Sequence, residues 1–268
     1  MKTIFLKTIR EKRNLLIILC IVSVITLWMY ISLFPTFSKQ SVEFERLLES
    51  FPKELWEVFG IRDGNLSMST LEKFLSVEMY SLLWPILNLS FFISLGVSLI
   101  GGEIDKGTIE ILLSLPTSRI KIYLSKYLAG ITIIVILCFV SIYSIIPMAI
   151  LYDIQYNADT YHKLFLVGTL FCISGFSVVM LLSIIFEKGK ATLLGIGMYI
   201  IMYIFTILSS LKDNLKDLQY FSFFHYLDAS ELLAENKINE SSVVVFSCVI
   251  IVSTALAIYI FHKKDISV

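Results

Sequence analysis

Six apolar runs in this chain are long enough to cross a lipid bilayer: residues 15–34, 77–100, 127–151, 164–186, 191–211 and 242–261. At ~1.5 Å per helical residue, about 20 residues cover the ~30 Å hydrocarbon layer. A backbone in lipid must satisfy its own hydrogen bonds, so such runs fold as helices. The expectation is an all-α polytopic membrane protein of six transmembrane helices, one domain over residues 1–268. With 57% hydrophobic and 16% charged residues, against an apolar share of about 45–50% in soluble domains, a large water-facing core is excluded. Residues 15–34 follow a basic start, but the run is too long for a signal peptide and no small-x-small cleavage site follows. It reads as an uncleaved anchor.

The segments between the runs sort by charge. The N-terminus, residues 101–126, residues 187–190 and the C-terminus together hold 13 basic and 6 acidic residues, and the remaining segments hold 9 and 16. Basic residues near span ends mark the cytoplasmic side. Both termini and the 101–126 and 187–190 loops are therefore expected inside, as an even number of spans requires. Net charge is zero, so no nucleic-acid partner is indicated. Cys20, Cys138, Cys172 and Cys248 all fall inside apolar runs and read as free apolar residues, not disulfide or zinc ligands. His162, His225 and His262 are isolated, which argues against a metal site.

Residues 1–13 interleave basic side chains with Ile4, Phe5 and Ile9. They suit a short amphipathic helix on an anionic inner leaflet, or a basic tail that only orients the first span. Residues 38–76 carry Phe44, Leu47, Leu48, Phe51, Leu55, Val58 and Phe59 at three- and four-residue steps. This predicts an amphipathic helix on the outer surface, stopped at Gly60, with a second short helix capped by Ser69. Whether these helices gate a substrate is left open by the sequence. In the second run, Pro85 predicts a kink. Asn88 is a buried-amide candidate, and Ser90, Ser94 and Ser98 form an i, i+4, i+8 stripe. Such stripes serve as substrate paths or helix-packing faces, and packing is the commoner use. Gly168, Cys172 and Gly175 predict close packing on the fourth span. Residues 212–241 hold Phe221, Phe223, Phe224, Tyr226 and Leu227, which fit an interfacial belt or a short re-entrant hairpin.

Residues 101–126 form the most patterned interruption. Asp105 or Thr108 can cap a short helix that Pro116 ends. Ile104, Ile111, Leu112 and Leu115 fall on one face of that helix, and Glu103, Gly107, Glu110 and Ser114 on another. Thr117 or Ser118 then caps the next helix, which runs through Arg119, Lys121 and Lys126. A two-faced helix between two spans is either a plain membrane-surface connector or a docking element for a soluble partner.

Glu103, Gly107, Thr108, Glu110, Leu112, Leu113, Pro116, Arg119 and Lys126, at these spacings, resemble the first cytoplasmic loop of type-2 ATP-binding-cassette exporter permeases. The six-span layout resembles that family over the whole chain. The resemblance implies that this loop is a coupling helix seated in a groove of a separate ATPase subunit. It implies a permease subunit acting with two ATPases and with a second permease copy or a paralogue, in a plasma membrane, bacterial by family. ATP and magnesium would sit on the ATPase partner, and no cofactor on this chain. On that reading Glu103, Asp105, Thr108 and Glu110 offer polar contacts to the ATPase. Gly107 allows close approach, Pro116 fixes the elbow, and Arg119 and Lys126 tie the loop to its own bundle or to lipid head groups.

The chain's own chemistry is sparse. Gly102, Gly107 and Thr108 have Walker A glycine spacing without its lysine, so the chain is not expected to be an ATPase. It has no H-E-x-x-H or G-x-S-x-G pattern. No Lys, Arg or Asp lies in the six runs, and only Glu78 sits at an edge, which argues against an ion-driven carrier. The expected substrate is amphipathic or hydrophobic: a peptide, a drug or a lipid-like molecule. A non-transporting immunity or scaffold protein and an intramembrane enzyme are the alternatives.

Overall fold

The computed structural model describes residues 2–39, 70–114, 116–211 and 213–264, and every regular element among them is helical. Five helices are long and apolar enough to cross a membrane, and a bent pair adds a sixth span. The helices expected between residues 40 and 69 lie outside the described residues.

The first span is α1, Lys2–Lys39. The basic N-terminal turns are not a separate surface helix, because no glycine or proline precedes Pro35 and the hydrogen-bond ladder runs unbroken. At 38 residues and ~1.5 Å each, α1 exceeds the ~30 Å hydrocarbon layer by several turns. Ile4, Thr8, Leu16, Leu27, Ile31 and Phe34 form its buried stripe.

The second span is the bent one. Helix α2 (Leu71–Leu75) runs into a π-helical turn at Ser76–Tyr80, and α3 (Leu83–Leu99) follows at 46°. Pro85 has no N–H and its ring excludes the carbonyl four residues back, which breaks the ladder at Ser81–Leu82. Neighbouring side chains brace the bend. Tyr80 Oη donates to the Ser141 carbonyl at 3.1 Å and Trp84 Nε1 to Ser141 Oγ at 3.0 Å.

After the 101–118 loop, the third span is α6 (Arg119–Tyr143) continued by α7 (Ile145–Leu151), with a break at Ser144 that Pro147 explains in the same way. The fourth, α8 (Ala158–Ile185), is the pole of the bundle and packs on α3, α6 and both later spans. Its small-residue face is where neighbours approach closely. A Cβ added at Gly175 would stand 2.3 Å from Tyr199 Oη and 2.5 Å from Phe92. The fifth and sixth spans are α9 (Lys188–Leu211) and α12 (Glu240–Lys263). All four cysteines are free.

Between α9 and α12, residues 213–239 close the end of the bundle away from the 101–118 loop. A 3₁₀ stretch (Asp213–Phe221) leads to α10 (Phe223–Leu227) and α11 (Ala229–Glu235). Phe223, Leu227, Leu232 and Leu233 are buried. The aromatics of this segment divide between the buried Phe223 and the exposed Tyr220 and Phe221. Both aromatics of the 3₁₀ stretch thus face outward. Asn236, left-handed at φ 56°, closes α11. It accepts from Thr160 at 3.0 Å and from Lys163 at 3.0 and 3.1 Å, and donates to Asp159 at 3.0 Å.

Candidate functional site

The 101–118 loop is a broken helix. Helix α4 (Gly101–Asp105) continues from α3 after a one-residue offset at Ile100, and α5 (Ile109–Leu113) follows a turn at Lys106–Thr108. Gly107 makes the break, at φ +67°. Nothing lies within 4 Å of a Cβ placed there, so glycine is favoured within this chain by backbone conformation, not by crowding. Asp105 therefore ends a helix rather than starting one. Thr108 stands at the N-cap of α5 without capping it through its side chain. Ser118, not Thr117, caps α6 by accepting from Lys121 N at 3.4 Å. Pro116 is exposed in the elbow between them.

The break resets the helical phase, and this corrects the face assignment. Ile109 and Leu112 are buried, whereas Ile111 is 67% exposed. Asp105, Lys106, Glu110 and Ser114 are exposed beside it. Among the described residues, the loop thus presents the apolar Ile111 beside two carboxylates and an ammonium.

Glu103 points the other way. Its Oε1 accepts from Lys126 Nζ at 2.7 Å and its other carboxylate oxygen accepts from the Thr108 hydroxyl. The Lys126 side chain is 4% exposed. Burial alone would push the Glu103 carboxyl up, but hydrogen bonds from Lys126 and Thr108 outweigh it and hold the pKa below the ordinary value. This carboxylate is consumed inside the chain, so it is not the free partner-facing group that the sequence reading made it. A second tie involves Arg119, whose Nη1 donates to the Lys264 carbonyl at 2.5 Å. The Lys264 ammonium in turn donates to the Ile184 carbonyl at 2.5 Å, satisfying an end carbonyl of α8. Lys264 was not singled out from sequence. Its only signal there was a cation just past the end of an apolar run.

The other candidate group separates. Asn88 is buried and its amide donates to its own helix at Trp84 O, 2.9 Å. Ser90 and Ser94 are exposed. With Ser98 they line a groove of about 680 Å³ between α3 and α9, shared with Thr192, Tyr199, Tyr203 and, at one end, Lys188. Among the described residues, Ser90 and Ser94 face this groove and Ser98 is half-buried, and a different residue makes the close helix contact of α3. The small residue of α3 that does is Gly96, whose Cβ would meet Val179 at 3.0 Å.

Among the described residues, no three His, Cys, Asp or Glu side chains cluster to hold a metal ion. No curated protein matches the chain. The family described as ABC-2 family transporter protein matches residues 3–266, nearly the whole length, over the same helices that carry the broken loop and its ion-paired base. The chain belongs to the ABC-2 transporter family: it is a multi-pass membrane permease subunit that works with ATP-binding-cassette ATPase subunits.

Proposed function

We propose that this permease exports an amphipathic or hydrophobic substrate, and that the 101–118 loop docks on the ATPase. The observation that carries the reading is the division of labour within the loop. Glu103, Thr108 and Lys126 lock it to α6, while Asp105, Glu110 and Ile111 are presented outward on a rigid base. An exposed apolar anchor ringed by charges is the composition of a docking hot spot. Two such permeases, identical or paralogous, pair with two ATPases that carry ATP and magnesium. Closure of the ATPase dimer pushes the loop, and the push reaches α3 across the short α3–α4 junction at Ile100 and α6 through the Glu103–Lys126 pair. The basic segments put both termini and the loop in the cytoplasm, and the membrane is a bacterial plasma membrane. Lipids cover the outward apolar faces of α1, α9 and α12.

Co-purification tests the docking. A soluble ATPase co-expressed with the chain should be retained on the tagged wild type, and the permease alone should hydrolyse no ATP. Retention of no ATPase, or ATP turnover by the pure chain, contradicts the proposal.

A further inference from the structure

The C-terminal end of α12 reaches back to the base of the loop. The helix stops at Lys263, and Lys264 follows in extended backbone, with φ −67° and ψ 122°. Its N–H still donates to the Ile260 carbonyl at 2.8 Å. Its own carbonyl accepts from Arg119 Nη1 at 2.5 Å, in the first turn of α6. The Lys264 ammonium meets the Ile184 and Ile185 carbonyls at 2.5 and 3.4 Å. These are end carbonyls of α8, which have no partner in their own ladder and carry its negative pole. One residue thus joins three helices: its backbone continues α12 and holds α6, and its side chain holds α8.

A second tie joins the same three helices deeper in the bundle. Thr254 Oγ1 donates to Tyr127 Oη at 3.0 Å, and Tyr127 Oη lies 2.6 Å from Ser177 Oγ. Ser177 already donates to the Ile173 carbonyl at 2.7 Å, so Tyr127 is the donor to it. The hydroxyl chain runs from α12 through α6 to α8. Tyr127 lies about 12 Å along α6 from Arg119, most of one leaflet's half of a ~30 Å layer. Between the two levels Tyr123 stacks on Tyr127 at 5.7 Å and meets Phe261 at 6.3 Å between ring centroids. Lys126, which receives Glu103, stands about two turns from Arg119 on the same face of α6.

We infer that Lys264 is a positioning residue for ATP-driven coupling: it clasps α6, α8 and α12 into one body, so that a push arriving at Lys126 moves all three. Apolar burial is non-directional and lets helices slide along one another. Polar ties at two levels fix their register. This role rests on the docking of the 101–118 loop to the ATPase.

The test is amide hydrogen exchange on the permease–ATPase complex in lipid nanodiscs, with and without magnesium and a non-hydrolysable ATP analogue, at matched ATPase occupancy. In the wild type, residues 119–127, 177–185 and 256–263 should change protection together when the nucleotide is added. In Lys264→Ala the change in 119–127 should remain, and the change in 256–263 should be lost. Lys264→Arg, which keeps a cation on the α8 carbonyls, should restore it. Lys263→Ala is the control, because Lys263 donates to Tyr259 of its own helix at 2.6 Å, and it should behave as the wild type. A wild-type α6 that responds while the end of α12 does not overturns the clasp alone, as does a wild-type pattern in Lys264→Ala. Equal loss of protection in Lys264→Ala with and without nucleotide, in all three segments, makes Lys264 a purely structural residue and also overturns it. No nucleotide response in any segment of the wild type contradicts the clasp and the docking loop together.

Discussion

The two ends of the bundle are built on opposite plans. At one end, the two short helices α10 and α11 bury Phe223, Leu227, Leu232 and Leu233. Phe223 meets Tyr199 and Phe246 at 6.1 and 5.8 Å between ring centroids, and Asn236 ties α11 to α8. At the other, the 101–118 loop buries only what holds it in place and leaves Ile111, Asp105 and Glu110 outside. An element that closes a bundle saturates its contacts within the chain. An element that transmits force to a partner needs a fixed base and an unsatisfied outer face, and of these two ends the 101–118 loop has both among its described residues.

The sharpest separation is topological. In a cysteine-free background, a cysteine at Asn239 or Asn157 should react fully with an impermeant thiol reagent on intact cells, and one at Thr117 or Gly189 should not react. Labelling at Thr117 from outside would place the two ends the wrong way round.

Stability should divide the ends next. Phe223→Ala removes a buried ring and should cost about 3 kcal/mol or more, seen as a lower melting temperature in detergent. Lys126→Met leaves Glu103 without its partner, and breaking a buried pair costs ~3–5 kcal/mol; the residual exposure of Glu103 puts this case near the lower figure. The double variant Glu103→Gln/Lys126→Met should recover part of the loss. No recovery would mean that the pair is not the lock. Because the Glu103 carboxyl titrates below the ordinary 4.5, its contribution is complete above about pH 4.5 and fades as pH falls through the lower folded-state value. A wild-type melting temperature that drops more steeply below pH 4.5 than that of Glu103→Gln would be the signature.

A smaller effect discriminates between two roles for Gly107. Left-handed backbone at a β-branched residue is strained by ~1–3 kcal/mol, whereas asparagine tolerates it. Gly107→Val should therefore impair ATPase coupling and Gly107→Asn should largely keep it. If the ATPase needs the space at Gly107, both variants should fail alike.

Legibility from sequence followed the range of the interactions. The spans were plain because lipid imposes length and apolarity on each run separately, and Pro85 announced its bend. The close packing at Gly168 and Gly175 was also readable, as small residues on one helical face. The loop's phase was not. One left-handed glycine splits the helix, so that Ile111, assigned by periodicity to the greasy face, stands in solvent while Ile109 is buried. The Glu103–Lys126 contact joins residues 23 apart and depends on how α4 sits against α6, which no local pattern encodes. Lys264 is harder still, since its partners lie on α6 and α8. The serine stripe was legible as a stripe, but the groove that it lines comes only from the placement of α9.

The central claim is that the outer face of the 101–118 loop, and not its base, meets the ATPase. Pull-down of a co-expressed ATPase by Ile111→Ala and Glu110→Lys tests it directly, at matched expression. Both sites are exposed and touch nothing that holds the bundle, so melting temperatures should stay within about 0.5 kcal/mol equivalent of wild type. Loss of a hot-spot anchor or reversal of a contact charge should weaken retention by at least ~2 kcal/mol, about 30-fold. Wild-type recovery of the ATPase by both variants, with transport intact, would reduce the loop to a connector and contradict the account.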